Sequence, residues 1–318
     1  MPVPMRILTT SASVVATLLL ICAQAIGAES APVVWTDLRT LNVEGRGWTN
    51  TAAFYDRLPA KAEGMVPQSV YNLSRQSAGM LVRFVSDAQT IKARWNLTSA
   101  NLAMPHMAAT GVSGLDLYVR GEDRKWRWLG VGIPKEQTNS VSLVSDLAPG
   151  EREYLLYLPL YNGVKSVELG VNQGCKLVAA GPWGKGERKP VVFYGTSIQQ
   201  GGCASRPGMV HSSILGRKFD WPTINLGFSG SGKMEIALAE LLGELDASVY
   251  VLDCLPNMDS AMLTERLEPF IRRLRSARPT TPIVLVEDRS YSNSYLIPSK
   301  RERQEKSRVV LKETYKKL

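Results

Sequence analysis

Near Pro190 the spacing of apolar residues changes, and few architectures satisfy both sides of the change. Before it, apolar residues recur at every second position: Met80, Val82 and Phe84; Ile91, Ala93 and Trp95; Leu115, Leu117 and Val119; Tyr154, Leu156 and Leu158; Val167, Leu169 and Val171. A strand turns successive side chains to opposite faces, so each run buries one face and wets the other. That is the pattern of antiparallel sheets packed face to face. Turn pairs such as Pro149-Gly150 and Asn162-Gly163 separate the runs, and no amphipathic helix interrupts them. Residues 33–180 are therefore expected to form an antiparallel β-sandwich.

A linker rich in Gly, Pro and charge follows, ending at Pro190. Beyond it, short apolar strands at 191–194, 222–226, 249–252 and 283–286 alternate with helical patterns. Met234, Ala237, Leu238, Leu241, Leu242 and Leu245 fall on one helix face. Leu263, Leu267, Phe270, Ile271 and Leu274 fall on another, with Pro269 a candidate kink. This alternation predicts a parallel sheet covered by helices on both faces over 190–318. In such sheets chemistry sits at the carboxyl ends of the strands.

Composition narrows the compartment and the partners. The chain has 318 residues, 44% hydrophobic and 21% charged, enough for two ordinary soluble domains. Residues 1–28 read as a signal peptide: Arg6 supplies the basic start, 14–21 is almost wholly apolar, and Ala23-Gln24-Ala25 offers a cleavage site. An uncleaved anchor fits less well, because the apolar core is short. Ile21 before Cys22 argues against a lipoprotein. The expected location is secreted or periplasmic, with no stable membrane insertion once the leader is removed. The formal charge of +9 is concentrated near the C-terminus, where residues 300–318 carry eight Lys/Arg and three Glu. Glu302 with Lys306 and Glu313 with Lys317 stand at helical spacing, and Leu311, Tyr315 and Leu318 suggest an apolar stripe. A solvated helix explains this charge better than a nucleic-acid partner. Cys175, Cys203 and Cys254 lack metal-type spacing. One disulfide and one free thiol would suit an exported protein, with the pairing open.

The strand ends carry the candidate chemistry. The first runs into Gly195-Thr196-Ser197-Ile198, which puts a serine at the sheet edge with its N–H free to meet an oxyanion. The second runs into Gly227-Phe228-Ser229-Gly230-Ser231-Gly232-Lys233, and the third into Asp253-Cys254-Leu255-Pro256-Asn257. An amide at Asn257 can donate to developing negative charge. Asp259 or Ser260 is better placed to cap the helix that follows.

Serine, glycine and asparagine on three successive strand ends resemble the SGNH (GDSL-like) hydrolase family. The resemblance is closest to a subgroup with Gly-Thr-Ser in the first block and an N-terminal β-domain bearing Gly-x-Asp-Leu-Tyr, here Gly114-Leu115-Asp116-Leu117-Tyr118 after Met104-Pro105-His106-Met107. It implies a flavodoxin-like three-layer hydrolase domain and an acyl-enzyme mechanism without metal or organic cofactor. Ser197 would be the nucleophile. The Gly230 N–H and the Asn257 amide would complete the oxyanion hole, and a Cβ at Gly230 is expected to crowd it. The expected substrates are acyl esters of carbohydrates, acetyl esters foremost, with an acyltransferase of the same family as the alternative. The family takes its base from a late Asp-x-x-His motif beyond a fifth strand. Only His106 and His211 are present, so the hydrolase domain is expected to be cut short before that motif, and without a base Ser197 is a weak nucleophile. His211 reads as structural. His106, in a loop with Ala108, Ala109, Gly111 and Ser113, is a candidate substrate-binding residue facing Ser197.

Two rivals arise from the same residues. Gly227 to Lys233 also fits the phosphate-loop pattern G-x-x-x-x-G-K. Met234 stands where that loop needs Ser or Thr for Mg²⁺, and a thioether serves a hard ion poorly. The other rival is a non-catalytic sugar-binding module, since Trp35, Trp48, Trp95, Trp126 and Trp128 could stack on sugar rings, although such residues are more often core.

Overall fold

The protein is described from a computed structural model covering residues 31–184 and 186–318, together with Met1. The leader expected over 1–28 therefore lies outside the described residues. The N-terminal half contains strands β1 (Val33–Asp37), β2 (Val43–Glu44), β3 (Leu81–Ser86), β4 (Ile91–Leu97), β5 (Leu115–Arg120), β6 (Trp126–Gly132), β7 (Thr138–Val144), β8 (Arg152–Tyr157), β9 (Val164–Asn172) and β10 (Leu177–Ala179). They form two antiparallel sheets. One has the order β1-β9-β4-β7 and the other β10-β3-β8-β5-β6, with β2 pairing β3. The alternating residues meet between them: Phe84, Trp95, Leu115, Leu117, Leu156 and Leu169 are all buried in one core.

The C-terminal half carries parallel strands β11 (Val191–Gly195), β12 (Thr223–Gly227), β13 (Val249–Asp253) and β14 (Ile283–Leu285) in the order β12-β11-β13-β14. Helices cover the sheet. Ile236–Glu244 and Ser260–Ala277 pack their leucine faces against Val192, Tyr194, Leu226 and Tyr250. The second of these helices runs through Pro269 without a break and is capped by Asp259, whose carboxylate accepts from Met262 N at 2.8 Å.

Two expectations need correction. A helix, α1 (Gln68–Ser74), does interrupt the β-rich half. Its Val70 and Tyr71, together with Trp48, Leu58, Ala62 and Val66, are buried in the core of the parallel sheet rather than in the sandwich. The Trp48 indole donates to Glu244 at 2.9 Å. Residues 45–75 thus cover the other region, with only Phe54 and Tyr55 among them keeping to the sandwich core, and at seven residues α1 is too short to register as a periodic pattern. The second correction concerns the last helix, Pro298–Lys317. Leu311 is buried, but Tyr315 and Leu318 remain 69% and 47% exposed. They line an open groove with Ile283 and Leu285 on the outer edge of β14, so no apolar stripe is closed there. The Glu302–Lys306 pair forms at 2.7 Å.

All three described cysteines are free thiols, Cys254 deep in the core and Cys203 exposed. No helix among the described residues is long and apolar enough to cross a membrane.

Candidate active site

Gly195 on β11 lies opposite Gly227 on β12 and Asp253 on β13. Three adjacent parallel strands therefore end level with one another, and the residues that follow them share one edge. Gly195 tolerates no side chain, because a Cβ would stand 2.4 Å from the Asp253 carbonyl. Two residues on, Ser197 opens a single helical turn over Ser197–Gln200. Thr196 caps this turn, its hydroxyl accepting from Ile198 N. The Ser197 carbonyl accepts from Gly201 N at 3.0 Å, Gly202 N at 2.7 Å and the Tyr161 hydroxyl at 3.2 Å. Ser197 itself is half-buried, open to solvent from the sheet edge.

The loop after β12 carries Gly230, which is exposed and adopts a left-handed φ of 69°. Nothing lies within 4 Å of a Cβ built there, so an added methyl would not crowd the site as expected. Its demand is conformational, since L-residues pay for positive φ. Gly232 is the crowded position, with a Cβ only 2.1 Å from the Gly195 carbonyl. Asn257 ends a short 3₁₀ turn and donates its amide to the Ser231 carbonyl at 2.5 Å. One hydrogen bond thus ties the third strand end to the glycine loop of the second. The structure brings Ser197, the Gly230 loop and Asn257 onto one edge.

Buried groups that sequence pattern does not mark hold this edge in place. The Gln200 amide oxygen accepts from Ser229 N at 2.9 Å, while its nitrogen donates to Gln76 Oε1 at 2.5 Å and Leu160 O at 3.1 Å. Arg57 is wholly buried and donates to four backbone carbonyls, Gln76, Leu73, Asn225 and Gly227, the last at 2.7 Å. Burial pulls its pKa down to about 9. Asp253, at the end of β13, has its carboxyl pKa raised by burial, with Arg289 opposing. The only advance signal for Tyr161 was its place beside the Asn162-Gly163 turn, which points to a loop and not to a contact with Ser197.

The two histidines differ. His211 opens helix His211–Phe219 with its Nε2 2.5 Å from Gln199 Oε1 and its ring edge-on to Phe193. Burial lowers its pKa, which fits a structural residue. His106 is exposed, between Met104 and Met107, whose backbones bond to each other at 3.0 Å. Among the described residues no hydrogen bond to its ring is found. Met104 from the same loop lines a cleft of about 440 Å³ with Asn72, Arg75, Gln76, Asn101, Tyr161 and Ser229. The loop that bears His106 therefore borders a cleft that reaches the Gly230 loop, although His106 does not line it.

The phosphate-loop pattern does not form such a loop. Met234 is buried against the sheet at a φ of 54°, and its N–H donates to the Tyr194 hydroxyl. Of the tryptophans, Trp48 and Trp95 are core, whereas Trp128 is 50% exposed.

A parallel sheet with helices on both faces, fed by a β-sandwich and ending in a Ser, Gly and Asn edge, defines an SGNH-type hydrolase architecture. A family model for the GDSL-like lipase/acylhydrolase family matches residues 188–318, and one for the N-terminus of SGNH-hydrolase-type esterases matches residues 33–177. No curated protein matches. Among solved structures, one described as a GDSL-like lipase from Bacteroides ovatus is 33% identical, with a TM-score of 0.84 over 90% of this chain and 83% of that one. The salicylyl-acyltransferase SsfX3 from a tetracycline biosynthetic pathway is 18% identical, with a TM-score of 0.69 over 91% and 81%. A family two carbohydrate esterase from Cellvibrio japonicus is 12% identical, with a TM-score of 0.56 over 91% and 86%; these last two share the fold. The chain belongs to the GDSL-like lipase/acylhydrolase family.

Proposed function

We propose that this protein is an exported serine esterase that removes acyl groups, acetyl foremost, from carbohydrates. Its parts are a β-sandwich region over 33–180, part of whose 45–75 stretch packs on the other unit, and a hydrolase unit over 190–318. Ser197 attacks the ester carbonyl, the alcohol leaves, and water releases the acyl group. The oxyanion accepts from the N–H groups of Ser197 and Gly230 and from the Asn257 amide. The observation that carries this reading is the shared edge, where level strand ends and the Asn257–Ser231 bond hold these groups together. Preorganised donors of this kind stabilise charge as it develops and need no reorganisation during the reaction. The hydroxyl still needs a base within about 3 Å, a role the family resemblance gives to an Asp-x-x-His motif and which His211, bound to Gln199, does not fill.

The cleft beside Ser229 supports a sugar as the alcohol part. Amides and hydroxyls line it, Asn72, Gln76, Thr98, Ser99 and Asn101 among them, with Arg75 its one charged group. Its volume lies in the ordinary range for small-molecule sites. His106, at its border, would touch only a longer substrate. The test is acetate release from acetylated xylo- and cello-oligosaccharides by the intact protein and by Ser197→Ala. Release by the former and none by the latter is expected. Acetyl transfer to added sugars in place of release would make it an acyltransferase. Equal glycan binding by both proteins with no turnover of any ester would leave only a sugar-binding module.

A further inference from the structure

The pentapeptide Gly114-Leu115-Asp116-Leu117-Tyr118 is explained neither by the ester chemistry nor by the sandwich core alone. Along β5, Leu115 and Leu117 point into the sandwich. Asp116, Tyr118 and Arg120 point the other way, and each meets the α/β unit. Asp116 is fully buried. Its Oδ2 accepts from Gly208 N at 2.8 Å, and its Oδ1 accepts from the Trp128 indole at 3.0 Å and lies 3.3 Å from Arg206 Nε. Gly208 is pressed so closely that a Cβ would stand 2.4 Å from the Tyr118 ring and 2.7 Å from Asp116 Oδ2. Arg217 stacks over Tyr118 at 3.9 Å and donates to the Gly208 carbonyl at 2.8 Å. Farther along, Arg120 donates to Asp220 at 2.6 Å.

The segment these groups grip is the one that leaves the Ser197 turn. Residues 201–210 begin with two amides, Gly201 and Gly202, bonded to the Ser197 carbonyl. The segment holds two left-handed residues, Gly201 and Cys203, and no α-helical turn that would stiffen it. Its outer side rests on the sandwich at two further points. The Thr110 hydroxyl donates to Ser205 O at 2.6 Å, and a Cβ on Gly111 would stand 2.2 Å from Ala204 O. Gly114 sets up that approach, because its own Cβ would meet Thr110 O at 2.4 Å.

We propose that the Gly-x-Asp-Leu-Tyr motif is an interdomain latch. Asp116 is its bolt and a positioning residue: by holding Gly208 and Arg206 it fixes residues 201–210, and through the Gly201 and Gly202 amides it fixes the peptide of Ser197. The carboxylate bond to a backbone amide is charge-assisted and shielded from water, which makes it one of the stronger single contacts available at such a seam. The latch rests on contacts alone; its consequence for reactivity rests on the reading of Ser197 as nucleophile.

Amide hydrogen exchange on the intact protein tests the latch directly. Asp116→Ala should speed exchange at Gly208, and at Gly201 and Gly202, by on the order of ten-fold or more. Arg120→Ala, at the other end of the same docking face, should leave Gly201 and Gly202 unchanged; a merely structural role for the face would loosen them in both variants. A folded Asp116→Ala with wild-type exchange over 201–208 overturns the proposal, as does equal loosening by Arg120→Ala. Should Asp116→Ala fail to fold, Asp116→Asn decides. It keeps an acceptor oxygen but loses the charge that strengthens the bond from Gly208 N, so faster exchange at Gly208 is expected, and wild-type exchange there overturns the proposal. Labelling of Ser197 by a fluorophosphonate is read in parallel and should slow in Asp116→Ala. Absence of labelling in the wild-type protein would bear on the chemistry of Ser197 alone and would leave the exchange result standing.

Discussion

Gly230 and Gly232 sit two residues apart in the loop that follows β12, both at positive φ, yet they are constrained by different things. Around Gly230 there is open space, so only the backbone conformation resists a side chain. Gly230→Ala should therefore cost about 1–2 kcal/mol of stability and lower kcat by shifting its N–H, without a steric block. Gly232 is pinned against the Gly195 carbonyl. Gly232→Ala must push β11 and the loop apart and should cost about 3 kcal/mol or more. Urea denaturation of the two variants checks the difference; equal losses would contradict it. Asn257 contributes through its amide. Asn257→Ala removes a donor and frees the Ser231 carbonyl, so kcat for ester hydrolysis should fall by about 10²–10³ with a smaller change in KM. An unchanged kcat in steady-state kinetics would remove Asn257 from the site.

Between residue and molecule, the telling element is the stretch 45–75, which belongs to the β-rich half in sequence and, apart from Phe54 and Tyr55, packs on the parallel sheet in space. Arg57 is its anchor, a buried guanidinium that four carbonyls satisfy, two of them on Asn225 and Gly227 of β12. Arg57→Met would leave those carbonyls without a charged donor and should cost about 3 kcal/mol or more in chemical denaturation. A loss near zero would show that the stretch is held by its apolar residues alone. The strands of both regions were legible because Met80, Val82, Phe84 and their like repeat at the period of a strand, and Leu238, Leu241 and Leu242 at that of a helix. Ser197, Gly230 and Asn257 were legible because each follows a recognisable strand end. Arg57, Gln200 and Tyr161 were not, since their roles depend on backbone atoms more than thirty positions away for Arg57 and Tyr161, and on a glutamine from another element for Gln200. No local period encodes such a partner. The stripe expected of Leu311, Tyr315 and Leu318 failed for a related reason: spacing shows which residues share a helix face, not whether anything covers that face.

Across the whole molecule several buried phenols titrate only at high pH, and some of them also join the two regions. Tyr157 on β8 of the sandwich donates its hydroxyl to Ser213 O in the α/β unit at 3.2 Å. Burial pushes its pKa up to about 12. Tyr194 in the centre of the parallel sheet and Tyr55 in the crossing stretch are raised as well, both by burial first. An unfolded tyrosine ionises near pH 10. Each of these phenols therefore contributes stability that is fully present below about pH 10 and is lost as pH climbs toward its folded value, because over that window the unfolded chain binds fewer protons. Arg57 acts in the opposite sense, since its folded pKa of about 9 lies below its ordinary value and the cost of burying its charge eases as pH rises. Tyr118, Tyr154, Tyr161 and Tyr250 are raised by burial in the same way, and Arg46 is lowered like Arg57, so seven phenols against two guanidiniums leave a net loss. The midpoint of thermal unfolding should hold nearly level from pH 8 to 9.5 and drop steeply between pH 10 and 11.5 (windows of about this width follow from the ordinary tyrosine pKa). Tyr157→Phe should be slightly less stable at neutral pH, having lost the bond to Ser213, and should fall less steeply above pH 10. A midpoint that stays level to pH 11.5, or a Tyr157→Phe protein with the full wild-type decline, would show that the buried phenols do not govern the alkaline limit of this fold.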